Sequence, residues 1–587
     1  MKMVMPFEFN QVFHNKKEED PVEGLKACLK TLCRSETLRY CIHLNLFVSD
    51  VNHPLGTLAQ QQTLLRMFFD KPDLVRLNNI STLKLDPDRV FFHRMQLLEL
   101  IRYATLYCPD SNCHKTPIQN KTSKMKFIQA ALFASEIAQN KLGTSQELEI
   151  KNGSNKREML LRSIRLTGQT AMQYIDPARA FGRGKILFSD YLPREFPEFQ
   201  QQFESHTQIK LDEYFSCVFI VLVHYFNINI THDSYIRHLI EPESLYAQIP
   251  HMANAFAHYL ELSSQNISEL QAALWKDGES AEQYSLKPIR EKPILHLNGN
   301  TAIVIDPILH LETATISPLF LLSRYLADKK INLLGHFGDA FEKYVQDILL
   351  KMYEDNGLLL LGNKLMVHGD QICDACVIED ETLILFEMKA AWVRDDKVAD
   401  PDHTKYLSEL RDKYGKRGNA AFQLARAVNF LIDGIWRLED HDIRKTKRIY
   451  PVLVAYDTLL NLPGYFWFFG SEFRAVFEPD AMLNTSKTVM IKHGWEIAPI
   501  TIITIDVLED LEASVKNFKL SDLLRDYFAY CDANFRDIDD DLSLSEFINS
   551  QYSAKMDRHG NVLKRALDTF EEMKDMIAPS STNSTVG

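Results

Sequence analysis

The 587-residue sequence reads as a multidomain chain with a mostly α-helical N-terminal region, an α/β domain whose mixed sheet is flanked by helices, and C-terminal helices. Three observations predict this. The length exceeds what one compact core accommodates and suggests several units. Before about residue 285, apolar residues recur at spacings of three and four, the period of helices with one buried stripe. From Pro293 onward, short apolar runs joined by turn residues alternate with helical segments, the pattern of strands and crossover helices.

The N-terminal helices are expected at Arg89–Tyr107, Lys124–Lys141 and Leu211–Phe226, separated by polar joints such as Asn152–Asn155 and Ser263–Asn266. No repeat of fixed period is present, which argues against a solenoid. Between Pro293 and Leu311, two apolar stretches flank Asn298-Gly299-Asn300 and predict a β-hairpin. A helix is expected over Pro318–Asp328. The next, Gly338–Leu350, carries Phe337, Phe341, Val345, Ile348 and Leu349 on one stripe. Strands are then expected at Ile372–Ile378 and Thr382–Lys389 around the turn 379–381, and a helix at Asn419–Ile435. Further strands are expected at Ile449–Tyr456, Tyr465–Phe469 and Pro499–Ile505, with helices from about Val507 to Asp575. The implied organisation is 1–285 helical, 286–330 a hairpin and helix connector, 331–510 the α/β domain, 511–575 C-terminal helices and 576–587 a disordered tail.

Composition narrows the class. With 45% hydrophobic and 25% charged residues, and 22 each of Gly and Pro, the chain is neither collagen-like nor of low complexity. Its longest apolar stretch, Phe215–Phe226, is shorter than the roughly 20 residues a bilayer helix needs, so no membrane association is expected. The N-terminus lacks the apolar block of a secretory signal, and the nine cysteines follow no disulfide-framework spacing; a reducing, cytoplasmic location is expected. Sixty-six Lys and Arg against 79 Asp and Glu give a net charge of −13, so any nucleic-acid contact must be confined to a local basic face.

The chemically informative stretch is Gly369–Ala391. Asp374 stands near the start of the first hairpin strand. Glu387 and Lys389 end the second, two residues apart and so on one face. The turn brings Asp374 and Glu387 together, and two close carboxylates repel unless a divalent cation relieves them. A Lys on the same face can hold or deprotonate a metal-bound water, which is the equipment for metal-assisted phosphodiester hydrolysis. Placing Glu and Lys at the end of the apolar run LILFEMK is costly unless they bind something or pair with each other. Two other E-x-K tripeptides, Glu149–Lys151 and Glu572–Lys574, lack a partnering Asp hairpin; the second reads as a solvated helix face.

Asp374, twelve intervening residues and Glu387-Met388-Lys389 resemble the PD-(D/E)xK nuclease superfamily, the restriction-endonuclease-like fold, with Cys373 where the family name has Pro. The resemblance covers about Gly335–Tyr456. It extends to Glu342 on the preceding helix, whose polar face also holds Asp339 and Gln346, and to Gln423 on a following helix like that of the recombination-nuclease branch. It implies a metal-dependent nuclease, with DNA the favoured substrate, and an anti-phage defence or restriction-type effector as its setting. It further implies Mg²⁺ (or Mn²⁺) held by Asp374, Glu387, the backbone carbonyl of Met388 and Glu342. Lys389 would position or activate the attacking water, and Gln423 would orient the substrate or the site.

From Lys405 to Arg448, eleven Lys and Arg outnumber six Asp and Glu. Arg411, Lys413, Lys416 and Arg417 form one cluster and Arg444, Lys445, Lys447 and Arg448 another; both are expected in loops bordering the site, where they would hold phosphates. Other motifs are set aside. Cys373 and Cys376 flank Asp374 but read as buried small hydrophobes. Cys108, Cys113 and His114 lack a fourth zinc ligand, and Gly182-Arg183-Gly184-Lys185 lacks the first glycine of a P-loop. The N-terminal region carries no catalytic motif and is expected to be a recognition or regulatory module, with a homo-oligomer or a regulatory protein as further partners. Two rival readings stay open at this point: a catalytically inactive nuclease-fold scaffold that binds nucleic acid, and an RNA-cleaving nuclease.

Overall fold

The computed structural model describes residues 5–6, 20–48, 89–110, 121–142, 161, 165, 176–226, 239–277, 286–298, 301–354, 358–400, 402–415, 419–436, 445–462, 464–477, 489–534, 543–557, 560, 564, 565, 568 and 572. The joint 152–155, the tail and the Asn298–Asn300 turn beyond Asn298 lie outside them, as do Cys113, His114, Lys416, Arg417 and Arg444. Among the described residues, no helix is long and apolar enough to cross a membrane.

Helices α1 (Pro21–Leu29), α2 (Arg34–Val48), α3 (Arg94–Tyr107) and α4 (Lys121–Leu142) pack against one another. Helix α3 starts later than expected because His93 caps it: its Nδ1 accepts from the Met95 amide at 3.2 Å, and Gln96 closes the capping box. Arg89–Val90 form a short strand instead. Helices α5 (Pro177–Ile186) and α6 (Leu211–Phe226) follow, the latter as expected. Cys33 is disulfide-bonded, a departure from the reducing setting expected, while Cys28, Cys41, Cys108, Cys217, Cys373, Cys376 and Cys531 are buried and outside any disulfide.

A small sheet joins β1 (Ser264–Asn266), parallel to β2 (Ile294–Asn298), with β3 (Thr301–Val304) antiparallel to β2, so the expected hairpin forms and shares its sheet with the N-terminal region. The second apolar stretch of that run turns helical at Pro307, where Asp306 caps α7 (Pro307–Thr315) by accepting from the Ile308 and Leu309 amides. Helices α8 (Ser317–Asp328) and α9 (Leu333–Met352) lead into the large sheet.

That sheet is mixed and seven-stranded. Its strands are β4 (Leu358–Leu361), β5 (Ala375–Glu379), β6 (Thr382–Lys389), β7 (Arg448–Ala455), β8 (Met490–Lys492), β9 (Trp495–Ile497) and β10 (Thr501–Thr504). The order is β8-β9-β7-β6-β5-β4, and β10 joins β7 beyond β9. Strands β4, β5 and β6 are antiparallel neighbours; β7 runs parallel to β6, β9 and β10. The parallel β6–β7 step is made through α10 (Ala420–Ile432). Central position explains the unbroken apolar run Leu383–Phe386 in β6: all four residues are buried. At the β5–β6 turn, Asp380 takes a left-handed φ of 52°, which Asp tolerates.

One expected strand is a helix. Tyr465–Phe469 belongs to α11 (Tyr465–Phe477), because its buried aromatics, Tyr465, Phe468, Phe469, Phe473 and Phe477, recur with helical spacing. The first expected hairpin strand is shorter than anticipated, since residues 372–374 precede β5. Helices α12 (Ile505–Glu512) and α13 (Leu520–Asn534) complete the C-terminal part, with α12 packed on α9.

Candidate active site

Strand β6 carries Glu387 and Lys389 to the end of the sheet, where β5 has given way to the loop holding Asp374. The Asp374 amide donates to the Phe386 carbonyl at 2.9 Å, and the Met388 amide donates to Asp374 Oδ2 at 2.7 Å. The two strands thus hold Asp374 beside Glu387 without a further ladder rung. Since N–H and C=O of one strand residue point the same way, the Met388 carbonyl faces the same edge.

Glu387 is 1% exposed, and Lys389 Nζ lies 2.6 Å from its Oε1. The contact is close but poorly directed: neither Glu387 oxygen has a well-aligned hydrogen-bond donor among the described residues. A buried carboxylate with an orphan oxygen is expensive. Helix α9 adds Glu342. Gln346, one turn on, donates to Glu342 Oε1 at 2.8 Å and leans on the Asp374 carbonyl at 3.4 Å.

The electrostatics are those of crowded carboxylates. Burial and then the Glu387 charge push Asp374 up to about 7. Burial, followed by the Asp374 charge, pushes Glu342 up to about 7 as well. Glu387 is raised by burial and by Glu342, against the opposing pull of Lys389. Burial alone would lower Lys389, but Glu387, Asp374 and Glu342 together raise it, so it stays an ammonium. The structure therefore brings together four of the residues singled out in the sequence: Asp374, Glu387, Lys389 and Glu342.

A divalent cation fits this set. It would supply the missing partner of Glu387 and relieve the mutual repulsion, with Asp374, Glu387 and the Met388 carbonyl as the candidate ligands and Glu342 next to them. Among the described residues, no group of three or more His, Cys, Asp or Glu side chains is arranged to hold a metal ion. Mg²⁺ asks for fewer protein ligands, since it keeps several waters and takes one or two carboxylates.

Gln423 sits on α10 with its Oε1 buried and without a hydrogen-bond partner among the described residues. One turn later Arg426 pairs with Asp370 at 3.1 Å, in the segment leading to Asp374, so Gln423 and Arg426 share the helix face turned toward that segment. Gln371, which the sequence did not single out, donates to Asp374 Oδ1 at 3.0 Å. No sequence pattern marks it.

The two basic clusters part company. Arg411 and Lys413 lie in a turn whose Tyr414 hydroxyl donates to the Ala391 carbonyl at 2.7 Å, two residues past Lys389. Arg411 is paired with Glu472 at 2.8 Å. The second cluster does not border the site. Arg448 is in register with Thr382, whereas Lys389 is in register with Ala455. Seven residues of strand separate them, roughly 23 Å. Lys445 precedes that far end of β7, and Lys447 and Arg448 pair there with Glu381 at 2.8 Å and Glu496 at 2.5 Å. Parallel pairing of β6 and β7 makes this unavoidable, because both strands reach the site with their C-terminal ends. Cys373 and Cys376 are buried free thiols, raised by burial, in keeping with a packing role. His336 stacks on Phe196 with ring centroids 5.3 Å apart, away from any ligand set. No family model, curated protein or solved structure matches this chain.

Proposed function

We propose that this protein is a metal-dependent nuclease that hydrolyses phosphodiester bonds, DNA in the first instance, with a PD-(D/E)xK-like centre at the end of β6. The observation that carries the reading is the buried Glu387 carboxylate, whose Oε2 has no donor among the described residues, beside Asp374 and Lys389. Mg²⁺ or Mn²⁺ bound there would supply Lewis-acid polarisation of the phosphate and a water of lowered pKa. The chain's own residues do the rest. Asp374 and Glu387 hold the charge that draws the cation. Lys389, kept protonated by three carboxylates, is suited to orienting the attacking water by donation and to stabilising charge developing on phosphate oxygens. Glu342 assists from α9. Arg411 and Lys413 lie where they can hold the backbone near the exit of β6, and Gln423 faces the segment that carries Asp374. The N-terminal helices serve as the recognition or regulatory part of a cytoplasmic effector of the anti-phage or restriction type.

Plasmid, single-stranded DNA and RNA are incubated with the full-length protein and Mg²⁺, Mn²⁺ or EDTA, alongside Asp374→Ala and Lys389→Ala. Metal-dependent cutting that both variants lose is expected. Cutting that survives both substitutions would sink the assignment. A second reading, a nuclease-fold scaffold that binds nucleic acid without cutting it, draws on the absence, among the described residues, of any group of three or more His, Cys, Asp or Glu side chains arranged to hold a metal ion. It predicts nucleic-acid binding with neither cutting nor metal uptake.

A further inference from the structure

Two glutamines outside the E-x-K pattern grip Asp374, together with the Met388 amide. Its Oδ1 accepts from Gln371 Nε2 at 3.0 Å, its Oδ2 from the Met388 amide at 2.7 Å, and its carbonyl from Gln346 Nε2 at 3.4 Å. A carboxylate has about four lone-pair sites, so one on each oxygen remains for a ligand.

Gln371 is exposed and gains little from burial, yet the chain around it is braced. Met366–Val367 pair antiparallel with Asp370–Gln371. Between them His368 and Gly369 have φ of 53° and 87°, the two positive angles of a tight turn whose twist matches the strands. Asp370 is then tied to Arg426 of α10 at 3.1 Å. The arm presenting Gln371 is fixed at both ends. Gln346 is 8% exposed, its Oε1 accepts from Lys343 at 3.3 Å, and its Nε2 joins Glu342 Oε1, at 2.8 Å, to the Asp374 backbone.

The chemistry of the two donors matters. An Arg or Lys in either place would orient the carboxylate but cancel the charge that attracts a cation. An amide orients it and leaves the charge intact. We infer that Gln371 and Gln346 are positioning residues: together they lock the Asp374 and Glu342 carboxylates in the arrangement that a divalent cation meets. This rests on the reading of Asp374 and Glu387 as a metal site. Outer partners of metal ligands of this kind are worth about 10–100-fold in metal affinity.

The test is calorimetric titration of Mn²⁺ into the metal-stripped full-length protein, comparing wild type with Asp374→Asn, Gln371→Met and Gln346→Met. Methionine keeps the length and volume of glutamine but cannot donate. Uptake by the wild type, loss in Asp374→Asn and an affinity about 10–100-fold weaker in each methionine variant is the expected result. Because Gln371 is exposed, its variant is expected to melt with the wild type and remains informative should Gln346→Met fold poorly. Methionine variants that bind Mn²⁺ like wild type, while Asp374→Asn does not, would overturn the positioning role and leave the metal site standing. Wild type and Asp374→Asn that bind alike, or no uptake by either, would remove the metal site itself and the inference with it.

Discussion

Lys389 faces three carboxylates and is raised by them in spite of burial, so its contribution is a fixed positive charge rather than a proton sink. Its replacement by alanine is expected to lower cleavage by about 10²–10⁴-fold, the range for a preorganised charge-stabilising or proton-handling group. Single-turnover rates at saturating Mg²⁺ check this; a loss smaller than tenfold would contradict it. Asp374 yields a second prediction, in stability. Its carboxyl sits at about 7 in the fold against an ordinary 3.8, so the folded state holds the proton more tightly than the unfolded chain. The stability it contributes is complete below pH 4 and is lost as pH rises through 7, on the order of 4 kcal/mol for the isolated group. Asp374→Asn removes that penalty, so metal-free Asp374→Asn should gain on wild type in melting temperature between pH 5 and pH 8. Mg²⁺ should stabilise the wild type more at pH 8 than at pH 5. Equal melting curves at both pH values would refute the coupling. At this scale the sequence was informative, because a hairpin turn between Asp374 and Glu387 brings the first beside the second, with Lys389 two residues on along the same strand. It was silent on Gln371, since an exposed glutamine in a turn looks like any other polar loop residue.

The β5–β6 hairpin is anchored at its far end by an element that the candidate site itself does not reveal. Glu379, at the end of β5, is buried; its Oε1 accepts from Tyr353 at 2.9 Å and its Oε2 from the Ser521 amide at 2.8 Å. Ser521 lies in the first turn of α13, where amides have no partner within the helix and the helix dipole favours a carboxylate. Glu379→Ala leaves both donors unsatisfied and is expected to cost about 1–3 kcal/mol in denaturant titrations. Mn²⁺ affinity per folded molecule should hold, since the site is at the other end of β6. A weakened site in a fully folded variant would show that the hairpin transmits strain along its length. Elements were legible where one signal dominated. Thr382–Lys389 and Leu211–Phe226 have the expected bounds, because unbroken apolar runs bounded by turn residues leave little choice. Tyr465–Phe469 reads as a strand because these five residues are all aromatic; the helical repeat emerges only with Phe473 and Phe477. The basic run 444–448 reads as bordering the site because, like 411–417, it flanks the helix that carries Gln423. Whether a loop lies at the near or far end of a strand depends on pairing direction, which no local pattern encodes.

Across the whole molecule, the N-terminal helices are joined to the α/β part by charge as well as by packing. Arg183 on α5 reaches Asp506 at 2.5 Å and Glu509 at 3.0 Å on α12, and Arg165 makes a two-pronged contact with Asp457 at 3.0 and 2.8 Å. These groups are mostly buried, so cutting the chain near residue 331 would strand Asp457 and Glu509 without counter-charges. Function is therefore best tested on the intact chain. The close approach of α5 to its neighbour reinforces the point: a Cβ added at Gly184 would lie 2.4 Å from the Ala314 carbonyl of α7, which explains a glycine inside a helix there. Glu509 also accepts from the Tyr344 hydroxyl at 2.8 Å, and Tyr344 is two residues beyond Glu342 on α9. The Arg183 cluster thus braces the helix that supplies one of the site's acids. Burial, partly offset by Arg183, holds the Glu509 carboxyl at about 7. Its folded value lies above the unfolded one, so it opposes folding increasingly as pH rises through 7, and Arg183 is what limits that cost. Arg183→Met should therefore destabilise by about 3–5 kcal/mol at pH 8 and by less at pH 5, where Glu509 takes up a proton. Adding Glu509→Gln to Arg183→Met should restore part of the loss at pH 8 and little at pH 5. Chemical denaturation of wild type, both single variants (Arg183→Met and Glu509→Gln) and the double variant at both pH values measures this directly. An Arg183→Met protein as stable as wild type at pH 8 would mean that the two halves are held by their apolar contacts alone, with the charge cluster a bystander.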